Sequence, residues 1–79
     1  MRELLEFIVS TLVEDPEAVQ VEELEEDGDL VYEITVADED LGRVIGREGR
    51  VANAIRTIAK AAATATDGGR VMVEIVEDD

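Results

Sequence analysis

The sequence predicts a single α+β domain over residues 1–79, with the order helix, strand, strand, helix, helix, strand. Two observations support this prediction. Apolar residues recur either every three to four positions or every second position along the chain, and these are the periods of amphipathic helices and half-buried strands. Glycine, proline and aspartate lie between the periodic segments, as is typical of turns.

The first half of the chain predicts one helix and a β-hairpin. Residues 2–13 carry a helical apolar stripe that consists of Leu4, Leu5, Ile8, Leu12 and Val13. Asp15-Pro16 ends this helix, because proline pushes the preceding residue out of helical geometry. Residues 19–24 are β-prone, residues 30–36 alternate in polarity, and Asp27-Gly28 between them is a hairpin-turn signal.

The second half predicts two helices and a last strand. Asp38 is the expected N-cap of a short helix over residues 41–45, which Gly46 ends. A longer helix is expected from about Gly49 to Ala65, because its apolar stripe has the period of a helix. This stripe consists of Val51, Ala54, Ile55, Ile58 and Ala62. The run Thr66-Asp67-Gly68-Gly69 ends the helix, and residues 71–76 alternate as a strand.

Composition narrows the possible functions. The chain has no cysteine and no histidine, which excludes disulfides and the usual zinc sites. No apolar run reaches the roughly 18 residues that span a bilayer, and the N-terminal segment has acidic residues within its apolar pattern, unlike a signal peptide. We therefore expect a soluble cytoplasmic domain that does not enter membranes. Its two aromatic residues, Phe7 and Tyr32, lie on apolar faces and are expected in the core.

Catalysis is not expected. The chain lacks histidine, cysteine and a Walker phosphate-binding loop. Its many carboxylates cluster in turns and near residue 79 rather than in a pattern that predicts a cleft. The acidic segment from Glu22 to Asp29 lacks the spacing of a calcium-binding loop. We therefore expect a non-catalytic protein without a cofactor or a metal site.

Charge is unevenly distributed along the chain. The net charge is −14, which opposes binding to phosphate groups. Yet five of the seven basic residues lie between positions 41 and 60, where Glu48 is the only acid. Because salt screens charges beyond about 8–10 Å, an acidic molecule can still have a basic face. A solvated helix surface would show the same charges, so charge alone leaves both interpretations open.

The segment Gly46-Arg47-Glu48-Gly49 joins two predicted helices with almost no loop. Its glycines permit a sharp turn and the close approach of another molecule. The helix that follows would present unpaired amides and the positive end of its dipole to an anion. Arg47 lies within the loop, and further arginines flank it. These features predict a phosphate-binding site, although a helix–helix turn without a ligand would use the same glycines.

The segment LGRVIGREGR, residues 41–50, resembles the signature of KH domains, an I-G-x-x-G loop between two helices. The element order is similar to that of the bacterial, type II version of this fold. Length and the helix containing Ala54-Ile55-Arg56 make the chain similar to the small single-KH proteins of the KhpA family. The resemblance implies a three-stranded mixed sheet packed against three helices. It also implies binding of about four nucleotides of single-stranded RNA against the loop.

The resemblance assigns roles within the loop by position. Gly46 and Gly49 would let the RNA backbone approach closely. Arg47 and Arg50 would contact phosphates. Glu48 would add a negative charge inside the RNA-binding loop, where it must face solvent or pair with an arginine.

The residues around the loop receive roles in the same way. Arg43 would line the RNA-binding groove. Val44 and Ile45 would form the apolar floor of the groove, although both residues also fit a core position. Arg56 and Lys60, which lie further along the helix, would belong to the outer rim of the site.

The resemblance also implies a post-transcriptional regulator or RNA chaperone that acts with a partner. This partner would be a second copy of the chain or a larger Jag-type RNA-binding protein. The alternative is a protein-interaction module that has the KH fold without RNA binding, since fold and function are separable. The acidic surface would suit a basic protein partner. The loop glycines with arginines around them favour RNA.

Overall fold

A computed structural model of the chain describes residues 1–67 and 70–77. Within these ranges, three α-helices and three strands follow one another in the predicted order. Their bounds are α1 Arg2–Leu12, β1 Gln20–Glu26, β2 Asp29–Thr35, α2 Leu41–Ile45, α3 Arg50–Asp67 and β3 Val71–Ile75. The predicted α+β class and element order are therefore confirmed.

The three strands form one mixed sheet with β2 at its centre. β1 pairs with β2 in antiparallel direction, and β3 pairs with β2 in parallel direction. The hairpin closes at Asp27 and Gly28, whose φ values of 53° and 86° are those that a two-residue hairpin turn requires. The parallel pair needs a long crossover connection, and α2 and α3 supply it.

All three helices pack against the same face of the sheet. The core cluster draws on every helix and strand and consists of Leu5, Val9, Val21, Tyr32, Ile34, Val36, Val44, Ile55, Ala59 and Val73. Successive side chains of a strand point to opposite faces, and the strand residues in this cluster all belong to one face. The sheet therefore has one face covered by helices and one face that the described helices leave open.

The buried face of α3 differs from the predicted one. Ile58 is 44% exposed and Ala54 is also exposed, so their predicted place in the core is wrong. The helix buries Ile55, as predicted, together with the small residues Ala59 and Ala63, which lay outside the predicted stripe. Because Ile55, Ala59 and Ala63 are spaced by four residues and define the buried side of the helix, Ile58 lies beside that side and is partly exposed.

The two aromatic residues have different environments. Tyr32 is 3% exposed, which confirms its predicted core position, whereas Phe7 is 71% exposed, so the same prediction is wrong for Phe7. The buried residues of α1 are Leu5 and Val9, one helical turn apart. Phe7 lies midway between them in sequence and therefore on the opposite side of the helix.

The start of α2 differs from its prediction, and the predicted end of α3 lies beyond the described residues. Asp38 is not the N-cap of α2, because residues Asp38–Asp40 form a 3₁₀ turn that precedes the helix. The predicted glycine stop after α3, at Gly68 and Gly69, lies outside the described residues, and α3 is described to Asp67. Among the described residues, no helix has both the length and the apolar character needed to cross a bilayer.

Candidate nucleic-acid interface

The connection between α2 and α3 is a tight turn. Gly46 ends α2 with φ 77° and ψ 173°, and its amide donates to the carbonyl of Gly42 at 2.9 Å. Residues Arg47–Gly49 form one 3₁₀ turn, in which Glu48 and Gly49 have φ values of 56° and 77°. The turn leaves the side chains of Arg47 and Glu48 exposed at its tip.

The two loop glycines are needed for different reasons. A Cβ on Gly46 would lie 2.5 Å from Cγ2 and 2.8 Å from the backbone nitrogen of Val51, so the space beside Gly46 is already filled by the protein itself. A Cβ on Gly49 would meet only the Asn53 side-chain nitrogen, at 4.0 Å. Gly46 therefore permits internal packing, while Gly49 leaves open space that another molecule can use.

The start of α3 offers fewer unpaired amides than the sequence predicts. The amide of Gly49 donates to the carbonyl of Gly46 at 3.2 Å, and the amide of Arg50 donates to the carbonyl of Arg47. These two bonds close the turn and occupy two donors that an anion would otherwise meet. The positive end of the helix dipole remains, so the arginine side chains carry more of any phosphate contact than predicted.

Arg47 and Arg50 are available as cations. Both side chains are exposed, and within the described residues the only salt bridges are those of Arg43. Glu48 is also exposed, and it takes part in neither of the salt bridges found among the described residues. Two uncompensated guanidinium groups thus flank one solvated carboxylate at the loop.

Arg43 makes internal contacts instead. Its Nη2 lies 3.2 Å from Oε2 of Glu14, and its Nε lies 3.3 Å from Oδ1 of Asp40. Asp40 is 1% exposed, and its carboxylate accepts hydrogen bonds from the backbone amides of Glu14 and Asp15, both at 3.1 Å. Arg43 therefore helps to join the segment after α1 to α2 and has two carboxylate partners, while its side chain is still 50% exposed, so its place in the groove stays a prediction.

The predicted apolar floor is not formed as expected. Val44 is 0% exposed and belongs to the core cluster, so its side chain has no surface to offer to a base. Ile45 is half-buried and packs against the same cluster. The structure thus favours the core position that the sequence also allowed for these two residues.

A polar strip leads away from the loop along α3, and it includes Arg56 and Lys60, the two residues that the sequence placed at the outer rim. It consists of Gly49, Asn53, Arg56 and Lys60, whose spacing of four, three and four puts them on one side of a helix. Asn53 was not predicted as a site residue. Its Oδ1 accepts a hydrogen bond from Nη1 of Arg56 at 3.2 Å, and this contact links the loop end of the strip to the cations. The spacing was the signal available in the sequence.

The strip borders a cavity of about 200 Å³ between α3 and the edge strand β3, which is lined by Arg56, Lys60, Val71, Met72 and Val73. Nε of Arg56 donates to the carbonyl of Val73 at 3.1 Å, so backbone polar groups of β3 face this side. The cavity therefore combines apolar surface, cations and backbone hydrogen-bonding groups, which are the contacts that a splayed nucleobase uses.

Comparison with known protein families identifies the fold. The KH domain of KhpA and KhpB matches residues 2–75 of the chain. The chain belongs to this KhpA/KhpB family. The membership confirms the predicted KH fold, and the mixed sheet under three helices is its type II form.

Relatives in the KhpA family cover essentially the same length. A protein of Clostridium acetobutylicum is 49% identical over 76 residues, which are 96% of this chain and 100% of the relative. One from Caldanaerobacter subterraneus subsp. tengcongensis is 47% identical over the same shares, and one from Chlamydia trachomatis is 42% identical over 99% of each chain. Each of these KhpA relatives is called an RNA-binding protein. No solved structure matches the chain.

Proposed function

We propose that this KH domain binds short single-stranded RNA. The observation that carries the proposal is the strip from Gly49 through Asn53 and Arg56 to Lys60, which connects the loop to the cavity beside β3. The RNA backbone crosses the loop at Gly49, and the bases extend along the strip towards the cavity. The names of the KhpA relatives support the same function.

The loop holds the phosphates in this proposal. Gly49 has open space where a side chain would be, so a sugar–phosphate backbone can come close to the protein backbone there. Arg47 and Arg50 are exposed and act as phosphate ligands on either side of the close approach. Glu48 reduces the local positive potential, which keeps the affinity of a single domain low.

The cavity makes the site selective for single strands. Its apolar lining by Val71 and Val73 can receive only a base that has left its stack, and duplex RNA holds its bases inside. From Arg50 to Lys60, α3 rises by about 15 Å. This length suits the four nucleotides that KH domains clamp.

We further propose that the protein is a cytoplasmic post-transcriptional regulator or RNA chaperone that acts with a partner and without catalysis. The partner is a second copy or a larger Jag-type RNA-binding protein, and the family's inclusion of both KhpA and KhpB is compatible with such pairing. The outer side of α3 supports the idea, because it exposes the apolar residues Ala54, Ile58, Ala61 and Ala65. Pairing would strengthen weak RNA binding through avidity.

Self-association can be tested apart from RNA binding. Analytical ultracentrifugation of the wild type over a range of protein concentrations should show a dimer, and Ile58→Glu should stay monomeric. Since Ile58 is 44% exposed, this variant is expected to remain folded. A monomer at all concentrations would leave a different protein as the partner.

The decisive test of RNA binding uses two variants of Gly49. Fluorescence anisotropy of a labelled single strand of about eight nucleotides, twice the length that a KH domain clamps, compares the wild type with Gly49→Asp and Gly49→Asn. Asn and Asp have the same size and both tolerate positive φ, so the pair separates charge from bulk. Gly46→Asp is unsuitable, because its Cβ would overlap Val51.

The outcomes of this test are distinct. We expect the wild type to bind, Gly49→Asp to lose roughly tenfold or more in affinity through repulsion of phosphate, and Gly49→Asn to lose less. Circular dichroism checks that all three proteins are folded. Full affinity in Gly49→Asp would refute the loop site, and a folded wild type that binds no RNA would favour the protein-interaction module.

A further inference from the structure

The open face of the sheet has a regular arrangement of side chains. The register pairs Leu24 with Val31 and Val31 with Met72, so one apolar row crosses all three strands. Val31 is 1% exposed between its neighbours, Leu24 is half-buried, and Met72 is 54% exposed. The row therefore offers a narrow apolar surface whose most accessible part is a flexible methionine, a side chain that adapts to different partners.

Acidic rows lie on both sides of the apolar row. On one side, Glu22 is paired with Glu33 and Glu33 with Glu74, which gives three carboxylates in one line across the sheet. On the other side, Glu26 is paired with Asp29. Each row is about 7 Å from the apolar row, the distance of two residues along a strand. No described strand residue of this face is basic, but the exposed Arg70 directly precedes β3 and the register brings it beside Asp29, so the row of three glutamates is the more acidic of the two.

The acidic rows are unfavourable in the isolated domain. Directly opposed side chains in a sheet lie about 4.5–5.5 Å apart, and like charges at this distance destabilise the pairing. Glu33 has such a neighbour on each side. A ligand that brings positive charge to this face would relieve the repulsion between the carboxylates. This relief would favour the binding of a cationic partner.

The charge pattern excludes several occupants. Carboxylates repel RNA and anionic membranes. A second copy of the chain that docked through the same face would bring its own acidic rows against these rows and would also be repelled. A metal ion also does not fit, because no group of three or more acidic side chains among the described residues is arranged to hold one. A basic polypeptide with an apolar stripe remains, since its cations and its apolar side chains match the rows.

We infer that this face docks a basic amphipathic helix of a partner protein. An α-helix with its side chains is about 10–12 Å wide, and the two acidic rows are separated by about 14 Å, four residues along a strand. A helix along the apolar row therefore places apolar side chains over Leu24 and Met72, with lysines and arginines over the carboxylates on both sides. The RNA strip lies on α3, whereas Met72 belongs both to the docking face and to the cavity beside β3, so the two ligands would meet at this residue.

The test uses a synthetic peptide helix as the probe. The peptide has one leucine stripe flanked by lysines, and a second peptide replaces every lysine by glutamate. The wild type is compared with the triple variant Glu22→Gln/Glu33→Gln/Glu74→Gln, called the row variant, in which the row of three carboxylates is neutral. The matched control is Glu3→Gln/Glu17→Gln/Glu39→Gln, which removes three exposed carboxylates outside the sheet and gives the same net charge.

The expected result is site-specific. The lysine peptide should bind the wild type, lose roughly tenfold in affinity for the row variant, and change little for the control. In NMR spectra, peptide-induced shifts should centre on Leu24, Val31 and Met72. Equal losses in the two triple variants, binding of the glutamate peptide, shifts centred elsewhere, or no binding of the lysine peptide would each overturn the inference.

The two proposals fail independently. RNA affinity of the row variant should equal or exceed that of the wild type, because the variant loses only carboxylates away from the loop. Gly49→Asp should in turn keep its affinity for the lysine peptide. Loss of both ligands in either variant would show that the docking face and the RNA strip are not separate sites.

Discussion

The buried carboxylate of Asp40 accepts the backbone amide of Glu14 at 3.1 Å, and this bond fastens the segment after α1 to the turn before α2. The same carboxylate accepts a hydrogen bond from the backbone amide of Asp15 and forms a salt bridge with Arg43. One side chain thus satisfies two backbone donors that lie 25 and 26 residues away in sequence. This contact holds α2, the helix that leads into the proposed phosphate-binding loop, against the segment after α1.

Asp40→Ala should destabilise the domain strongly. The variant leaves two partly buried amides without their acceptor, and we expect a loss of about 3 kcal/mol in the free energy of unfolding. Urea denaturation measures the loss. Asp38→Ala is the control, because Asp38 is an exposed neighbour and should change stability by no more than about 0.5 kcal/mol. Similar effects of the two variants would contradict the role given to Asp40.

Alanine at the two loop glycines should separate their roles. Gly49→Ala pays only for its left-handed backbone, about 1–2 kcal/mol. Gly46→Ala adds the overlap with Val51, so it should cost about 1–3 kcal/mol more. Denaturation curves of both variants test this difference, which should disappear if the turn can open without affecting α3.

Neutral substitutions at three arginines should have different effects on RNA binding. Arg47→Gln and Arg50→Gln each remove one proposed phosphate contact, which should reduce the salt slope of log affinity by about 0.7. Arg43→Gln should leave the slope unchanged, because the structure pairs Arg43 with Glu14 and Asp40. Anisotropy titrations at several KCl concentrations measure the slopes. An equal reduction in all three variants would show that Arg43 leaves its carboxylates to bind RNA.

Glu48→Gln should strengthen RNA binding. Glu48 is an exposed acid in the proposed phosphate loop, and removing one such charge should raise affinity by about two- to fivefold at low salt. The gain should shrink as KCl is added. Glu39→Gln is a suitable control outside the loop. A loss of affinity in Glu48→Gln would mean that this side chain makes a favourable contact with RNA.

Glu33→Gln should stabilise the free domain. It removes the central charge of a row in which carboxylates oppose one another, and we expect a gain of about 0.2–1 kcal/mol. Added KCl should raise the stability of the wild type more than that of the variant, because salt screens the same repulsion. Thermal unfolding at low and high KCl measures both effects. Equal melting temperatures of Glu33→Gln and the wild type would mean that the three carboxylates are too far apart to repel one another appreciably.

The order of elements could be predicted because it depends on local patterns. The hairpin turn at Asp27-Gly28 and the strand that follows it are specified by residues close in sequence, and the structure has both. The orientation of α3 could not be predicted in this way. Ile58 and Ala59 both fit a helical apolar stripe, and packing against the sheet decides that the alanine is buried.

The features of the candidate site that could be predicted are those that depend on residues close in sequence. The loop glycines and the exposed Arg47 and Arg50 follow from one short segment. The engagement of Arg43 depends on Glu14, which lies far away in sequence. The cavity depends on β3 returning beside α3, and no local pattern reports that approach.

The parallel pairing of β3 with β2 has a consequence for synthesis of the protein. Because β3 follows α3 in the chain and forms one wall of the cavity, a nascent chain can present its loop arginines before the cavity exists. RNA captured by an unfinished domain would be held through phosphates alone and would leave quickly. In the proposed mode of binding, retention that depends on the bases would begin only when β3 has left the ribosome and joined the sheet.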